Sequence, residues 1–377
     1  MEYGERICRL IDGGKADVKA GILYHAEAEW SGRLMLMQKP ARILADSQID
    51  YYFVPGDVFT EREFYRTEME GGFRVNGNRF DVLIVPYAQY LPAAVLEGLA
   101  AAQNAGCRVI IVDALPDGAC EGGNVPSELQ DIVKLNGLLE EVLKTTGKTV
   151  EVIPANPRIR ALHYCGEKEL YIVSNEGTSA YHGKLIFPGV TQAYEYDAWE
   201  DKCHTIKWDD GGIDVCIDPR KSRVYIVGEA EKAVDRIECR GTPVRLEKFV
   251  ISTCESKDYP NFVNRRQMDA IRNYAKIDSK FAGIIRYETE AVIPSAQKIV
   301  LDISDAYEGV EVFVNGISAG IQIVPHYTFD ISGLCRIGKN QIAIEVATTL
   351  ERKHTNFLTR SKAAPTGITG SVTLYIQ

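Results

Sequence analysis

At 377 residues the chain exceeds what one hydrophobic core usually serves, so two or three domains are expected. Its 45% hydrophobic and 25% charged residues are those of a folded protein and exclude a disordered one. With 43 basic against 52 acidic residues the net charge is −9, which opposes a polyanion and excludes nucleic acid as a natural partner.

The first segment alternates strand-like and helix-like runs. VKAGILY (18–24), DYYFV (50–54), DVLIVP (81–86) and CRVIIVD (107–113) are short apolar, β-branched-rich runs that predict strands. ARILADSQI (41–49) and PAAVLEGLAAAQNAG (92–106) have helical spacing between them, and SELQDIVKLNGLLEEVLKTTG (127–147) predicts a last long helix. This alternation implies an α/β domain with a parallel sheet covered on both faces. After Pro154 and Pro157 the texture changes to short alternating runs: ALHYC, LYIVSN, KLIFPG, IDVCIDP and SRVYIVGE, within 161–229. These predict a small antiparallel β-sandwich. The final segment starts with an expected helix at 262–275 and returns to strands. In GVEVFVNGISAGI (309–321), Asn315-Gly316 supplies the positive φ angles of a type I′ hairpin turn. The expected architecture is therefore multidomain, α/β plus all-β, ending in a jelly roll.

The nine cysteines are scattered and include no C-x-x-C pair, so neither a disulfide framework nor a zinc site is expected and a reducing compartment fits. No stretch approaches the ~18 apolar residues of a membrane span, and the N-terminus has no apolar run behind a basic start. No membrane partner and a cytoplasmic location are the resulting expectations.

Five landmarks in one order carry a family resemblance: FAGIIRYE (281–288), EVFVNGISAGI (311–321), PHYTFDISGL (325–334), GKNQIAIEVATTLERK (338–353) and PTGITGSVTLYIQ (365–377). With these the last segment resembles the galactose-binding-like, sugar-binding jelly roll of glycoside hydrolase family 2. The middle segment has an HY start (163–164), YIVSN (171–175), an E-x-D-x-W run (195–199) and a D-P-x-x-S close (218–222). It resembles the small β-sandwich of α-L-rhamnosidase-like enzymes of families 106 and 78. RICRLIDGGKADVKAGILYHAEAEW (6–30) is similar to the join in those enzymes between a catalytic (β/α)₈ barrel and a flavodoxin-like, class I glutamine amidotransferase-like domain.

The resemblance implies a non-catalytic C-terminal portion of a glycoside hydrolase, with an amidotransferase-like domain at 1–153, a sandwich at 154–240 and the jelly roll at 241–377. Residues 1–14 would be the remnant of a barrel helix. The implied partners are carbohydrate and a catalytic barrel domain or subunit, and the pair of carboxylates that glycoside hydrolysis requires is expected to lie in that barrel. Two rival readings are a free-standing lectin-like protein and an amidotransferase-like hydrolase that uses the first domain.

The hydrolase rival needs a Cys or Ser on a sharp strand-to-helix turn with a histidine base nearby. Cys107, at the start of a strand, and Cys120, in a glycine-rich loop, lack that setting. The Gly-Gly pairs form neither G-x-G-x-x-G nor a Walker-type loop, so no nucleotide or other cofactor is expected. Cys203, His204 and His182 lack the close-spaced pairing of metal ligands, so no metal is expected. Glu27 and Glu29 follow the first strand, at the edge where open α/β sheets bind ligands, and are the candidate cleft-edge residues. Sugar rings favour aromatic faces and planar polar groups. Trp30, Trp199, Trp208 and nineteen tyrosines offer material, and Tyr307, His326, Tyr327 and Arg352, expected at one rim of the jelly roll, are the candidate carbohydrate-binding residues.

Overall fold

The structure, a computed structural model, describes residues 2–199, 201–209, 211–234, 241–294, 298–325, 327–353 and 364–377. It divides into two compact units, Met1–Asp235 and Arg236–Gln377.

The first unit contains a five-stranded parallel sheet built from β1 (Ala20–Tyr24), β2 (Tyr51–Pro55), β3 (Val82–Val85), β4 (Arg108–Val112) and β5 (Ile132–Val133). Its strand order is 2-1-3-4-5, with all neighbours parallel. Side chains along these strands alternate between two cores. Leu23, Leu83, Val85, Val109 and Ile111 join Val95, Leu96 and Leu99 of α4 (Ala93–Asn104). Ala20, Ile22, Val82, Ile84, Ile110 and Val112 join Ala41 and Leu44 of α3 (Gln38–Asp46) and Leu138 and Val142 of α5 (Leu138–Leu143). Each fully buried Leu, Ile or Val contributes about 1.5–3 kcal/mol. Packing therefore holds α5, because six residues are too few for a helix to persist alone. Along α4, Gly98 lets the helix sit against Phe59, since a Cβ there would lie 2.2 Å from the Phe59 ring.

The long helix expected over 127–147 is only α5. The residues before it supply β5, which pairs Ile132 with Ile111 and Val133 with Val112. The exposed edge of β4 claims this stretch. Arg108 ties the arrangement with a 2.7 Å ion pair to Asp131, a 2.9 Å pair to Glu141 and a hydrogen bond to the Glu141 carbonyl.

Packed in the same unit is an antiparallel sandwich. One sheet runs Lys15–Ala16, β6 (Ile159–Cys165), β7 (Glu169–Asn175), β11 (Ser222–Val227), β9 (Ala193–Asp197) and Lys202–His204; the other runs Glu151–Ile153, β8 (Tyr181–Ile186), β10 (Gly212–Ile217) and Trp208–Asp209. The core between them is rich in aromatic rings, including Tyr171, Tyr181, Phe187 and Tyr225. Helix α1 (Glu2–Ile11) lies on the larger sheet. Its Ile7, Leu10 and Ile11 meet Leu170, Tyr194, Val224 and Ile226, and Tyr3 stacks on Trp199 at 4.2 Å. The first helix thus packs on the sandwich although it precedes the parallel sheet in sequence.

The second unit packs a six-stranded antiparallel sheet on a four-stranded one. The larger has the order β14 (Val263–Met268), β13 (Phe249–Cys254), β15 (Ile284–Ile293), β20 (Gly338–Ala347), β17 (Gly309–Val314) and β18 (Ile317–Gln322). The smaller has the order β12 (Thr242–Leu246), β21 (Val372–Ile376), β16 (Ile299–Ile303) and β19 (Tyr327–Asp330). One core joins them. The expected helix at 262–275 is instead the edge strand β14 followed by a short 3₁₀ turn, Tyr274–Lys276. Hydrogen bonding to β13 outweighs local helical spacing, and the Asn273 side chain accepts from the Ala275 N–H to start the turn. The 309–321 hairpin forms as expected, with Asn315 at φ 52° and Gly316 at φ 84°.

Among the described residues no helix is long and apolar enough to cross a membrane.

Candidate functional site

In a doubly wound sheet, ligands enter where the strand order reverses, outside the carboxyl ends of the strands. Here that point lies between β1 and β3. Glu27 and Glu29 stand exposed after β1, Glu29 within the one-turn helix α2 (Ala28–Ser31), and Trp30 is 86% exposed beside them. Behind them His25 is buried, and its Nε2 makes no hydrogen bond among the described residues. Burial holds this imidazole below its ordinary value, against the Tyr87 and Met35 carbonyls and the Glu29 and Glu27 carboxylates, which favour its charged form.

The chain itself closes the crevice. The Met35 N–H donates to the Tyr87 carbonyl at 2.7 Å, and Leu34 bridges to Ala88. Gln89 clamps this strap: its Oε1 accepts from the Arg33 N–H at 3.1 Å, and its Nε2 donates to Asp117 at 2.9 Å. At the N-terminus of α4, where a phosphate would sit, the Glu121 carboxylate already accepts from the Ala93 N–H at 2.9 Å. A nucleotide phosphate would have to displace it.

Cys107 is buried and burial pushes its thiol up to about 12, which makes it inert. A cysteine–histidine pair that sequence reasoning missed lies in the sandwich. The Cys165 Sγ is 3.5 Å from His163 Nε2, which is also 2.8 Å from Glu169, while Asp17 is 3.5 Å from Nδ1. The ring lies flat on Tyr171 at 4.3 Å. Burial, Asp17 and Glu169 all raise the thiol, so the thiolate is disfavoured, and the pair sits at a strand end rather than on a strained turn. Its spacing, H-x-C on one strand with Glu169 across the hairpin, was visible in the sequence; Asp17, brought by the Lys15–Ala16 pairing, was not.

Two of the candidate carbohydrate-binding residues come together. Tyr307 and Arg352 line a small cleft with Glu308, Thr348, Glu351 and Thr366. Its volume is about 10 Å³, the space of roughly one water molecule. Arg352 is tied to the Ala364 carbonyl. Tyr327 is a core residue and not a rim residue. It is 1% exposed, and its hydroxyl donates to the carbonyls of Ala306 at 3.1 Å and Glu308 at 2.6 Å, so it supports the loop that carries Tyr307. His326 lies outside the described residues. Asn315 is a latch as well as a turn residue: its side chain donates to the Leu334 carbonyl and to Asn340 and accepts from the Gln341 N–H. His204 is buried with Nδ1 3.2 Å from the Val234 carbonyl, and among the described residues no group of three His, Cys, Asp or Glu side chains is arranged to hold a metal ion.

The second unit also holds a polar cluster on the outward face of its six-stranded sheet, which the sequence did not signal. Glu345, 5% exposed, accepts from Arg286 at 2.7 Å and from the Tyr259 hydroxyl at 3.1 Å. Phe262 and Phe313 flank the guanidinium at 5.5 and 5.7 Å. Burial raises the Glu345 carboxyl against the pull of Tyr259 and Arg286.

No family model matches the sequence, and no curated protein matches it. Among solved structures, a rhamnosidase from Novosphingobium sp. PP1Y superposes over 99% of this chain with a TM-score of 0.63 at 15% identity. That likeness is one of fold. The chain spans 40% of the length of that rhamnosidase. An exo-carrageenase of family 42 from Bacteroides ovatus covers 56% of the chain (29% of its own) with a TM-score of 0.39 at 12% identity. A β-glucuronidase from an uncultured Clostridium sp. covers 36% (29% of its own) with a TM-score of 0.29 at 15% identity. These two similarities are too low to carry an argument. The structural neighbours are glycoside hydrolases, and the chain shares the fold of a part of one of them.

Proposed function

We propose that this chain is an accessory, non-catalytic region of a rhamnosidase-like glycoside hydrolase, which supports a catalytic (β/α)₈ barrel and contacts carbohydrate. The observation that carries the reading is the single superposition over 99% of this chain on 40% of a rhamnosidase. A match over nearly all of this chain and well under half of the other supports reading it as one part of a larger enzyme. Within the reading, the 2-1-3-4-5 sheet corresponds to the flavodoxin-like, amidotransferase-like domain and the second unit to the galactose-binding-like jelly roll. The three-part division at 153 and 240 belongs to the same proposal. Glu27 and Glu29 border the substrate cleft, and Tyr307 and Arg352 are the jelly-roll residues offered to sugar.

The amidotransferase-like alternative gains nothing from Cys165, whose neighbours suppress its thiolate and which lies outside the parallel-sheet region. The test is hydrolysis of p-nitrophenyl α-L-rhamnoside, measured by nitrophenolate release. The 377-residue chain alone is expected to give the blank rate. The same chain expressed in one polypeptide with a rhamnosidase barrel is expected to give turnover that falls when this region is deleted. Turnover by the chain alone would overturn the non-catalytic reading.

A further inference from the structure

A second concave surface lies away from the strand-order reversal and from Tyr307 and Arg352. In the first unit a groove of about 560 Å³ runs between α3, β2 and the start of β6. One wall is the helix stripe Gln38, Ala41, Arg42, Ala45 and Asp46, spaced so that all five share a face. Tyr51 and Phe53 rise from β2 two residues apart, so both point to the same side; their rings meet edge to face at 5.4 Å, and Phe53 is 43% exposed. Pro157, Arg158 and Arg160 close the other side.

The charges in this groove are unequal. Three guanidiniums line it, and two carboxylates answer them, Asp46 in the lining and Glu176 beside it. Arg160 is spent on structure. It donates to the carbonyls of Ala45 at 3.1 Å and Pro157 at 2.7 Å, and it pairs with Asp46 at 3.4 Å and Glu176 at 3.2 Å. Arg42 reaches Asp46 at 3.3 Å from an exposed position. The Arg158 guanidinium has no ion pair among the described residues and stands in solvent at the groove's rim. In a chain of net charge −9, surplus positive charge beside the exposed Phe53 ring favours an anion that carries a ring.

We infer that this groove binds an acidic oligosaccharide, with the ring of a uronosyl residue against Phe53 and Tyr51 and its carboxylate at Arg158 and Arg42. A pyranose presents a C–H face that stacks on an aromatic ring, and a guanidinium fork matches a carboxylate in two parallel hydrogen bonds. Gln38 is placed to serve the hydroxyls. The inference rests on the carbohydrate-handling reading above and names a ligand class and a site for it.

The experiment is calorimetric titration of the full chain with tri-galacturonic acid, beside maltotriose as a neutral match and sulfate as a bare anion. Tri-galacturonic acid is expected to bind, and maltotriose and sulfate neither to bind nor to compete. Phe53→Ala and Arg158→Ala should each weaken binding about tenfold or more, and Arg158→Lys should restore part of the loss, since the charge returns without the fork. Both side chains are exposed, so unchanged circular dichroism is expected of the variants. No binding, equal affinity for maltotriose, competition by sulfate, or variants that bind like the parent would each overturn the inference. The titration needs no turnover, so its failure is separate from failure of the hydrolysis test.

Discussion

The parallel sheet of the first unit and the six-stranded sheet of the second place buried polarity in opposite ways. In the first, the parallel sheet is covered on both faces by apolar side chains, and the one buried titratable group at its carboxyl edge, His25, has an Nε2 with no hydrogen bond among the described residues. In the second, the large sheet is apolar on one face, while the other holds Glu345 bonded by Arg286 and Tyr259. A carboxyl group is tolerated under a sheet's covering loop when a guanidinium and a hydroxyl meet it, whereas burial biases a histidine without such partners toward its neutral form. The parallel sheet is therefore sensitive to packing and to acid, and the antiparallel sheet to loss of a partner.

Removing a partner is expected to have the largest effect. Arg286→Ala leaves Glu345 buried with only the Tyr259 hydroxyl, and should destabilise the second unit by about 3 kcal/mol. Hydrogen exchange of β15 and β20 would report it, while the first unit's exchange stays unchanged. Equal loss in both units would break the comparison. Next comes Gly98→Val, which drives a branched side chain into the Phe59 ring and should cost the first unit about 1–3 kcal/mol. All three tryptophans, Trp30, Trp199 and Trp208, lie in the first unit, so the urea midpoint read by their fluorescence isolates it.

The smallest effect is a difference of sign with pH. The folded value of His25 is depressed below 6.5, so its contribution to stability is present above that pH and is lost as pH falls through the folded value. The folded value of Glu345 is raised above 4.5, so its contribution is present below that pH and is lost as pH rises through the folded value. Acidification from pH 7.5 to 5.5 should therefore lower the tryptophan-detected midpoint, and His25→Leu should flatten that slope. The second unit, followed by hydrogen exchange with correction for intrinsic rate, should hold or gain stability over the same range. Parallel slopes in the two units would remove the contrast.

Much of the fold was legible because its signals are local. Four of the five parallel strands, the α4 helix and the Asn315-Gly316 hairpin announce themselves through short β-branched runs, helical spacing and turn chemistry. The fifth strand, Ile132–Val133, and the edge strand Val263–Met268 were hidden inside stretches with helical spacing, and only an unpaired neighbouring strand decided them. The position of Glu27 and Glu29 after the first strand could be read from order alone. The closing of that crevice by Leu34, Met35 and Gln89 could not, since it depends on residues more than 50 positions apart.

The sequence by itself determined the alternation of element types along the chain, the two hydrophobic faces of the parallel sheet and the type of its best hairpin turn, because each depends on periodicity within a few residues. Tertiary structure alone decided that α1 lies on the sandwich, that Tyr327 is core, that Asp17 joins His163, and that Phe53 and Arg158 face one groove. Those outcomes depend on which distant surfaces gain most by excluding water together, and no local pattern encodes that choice.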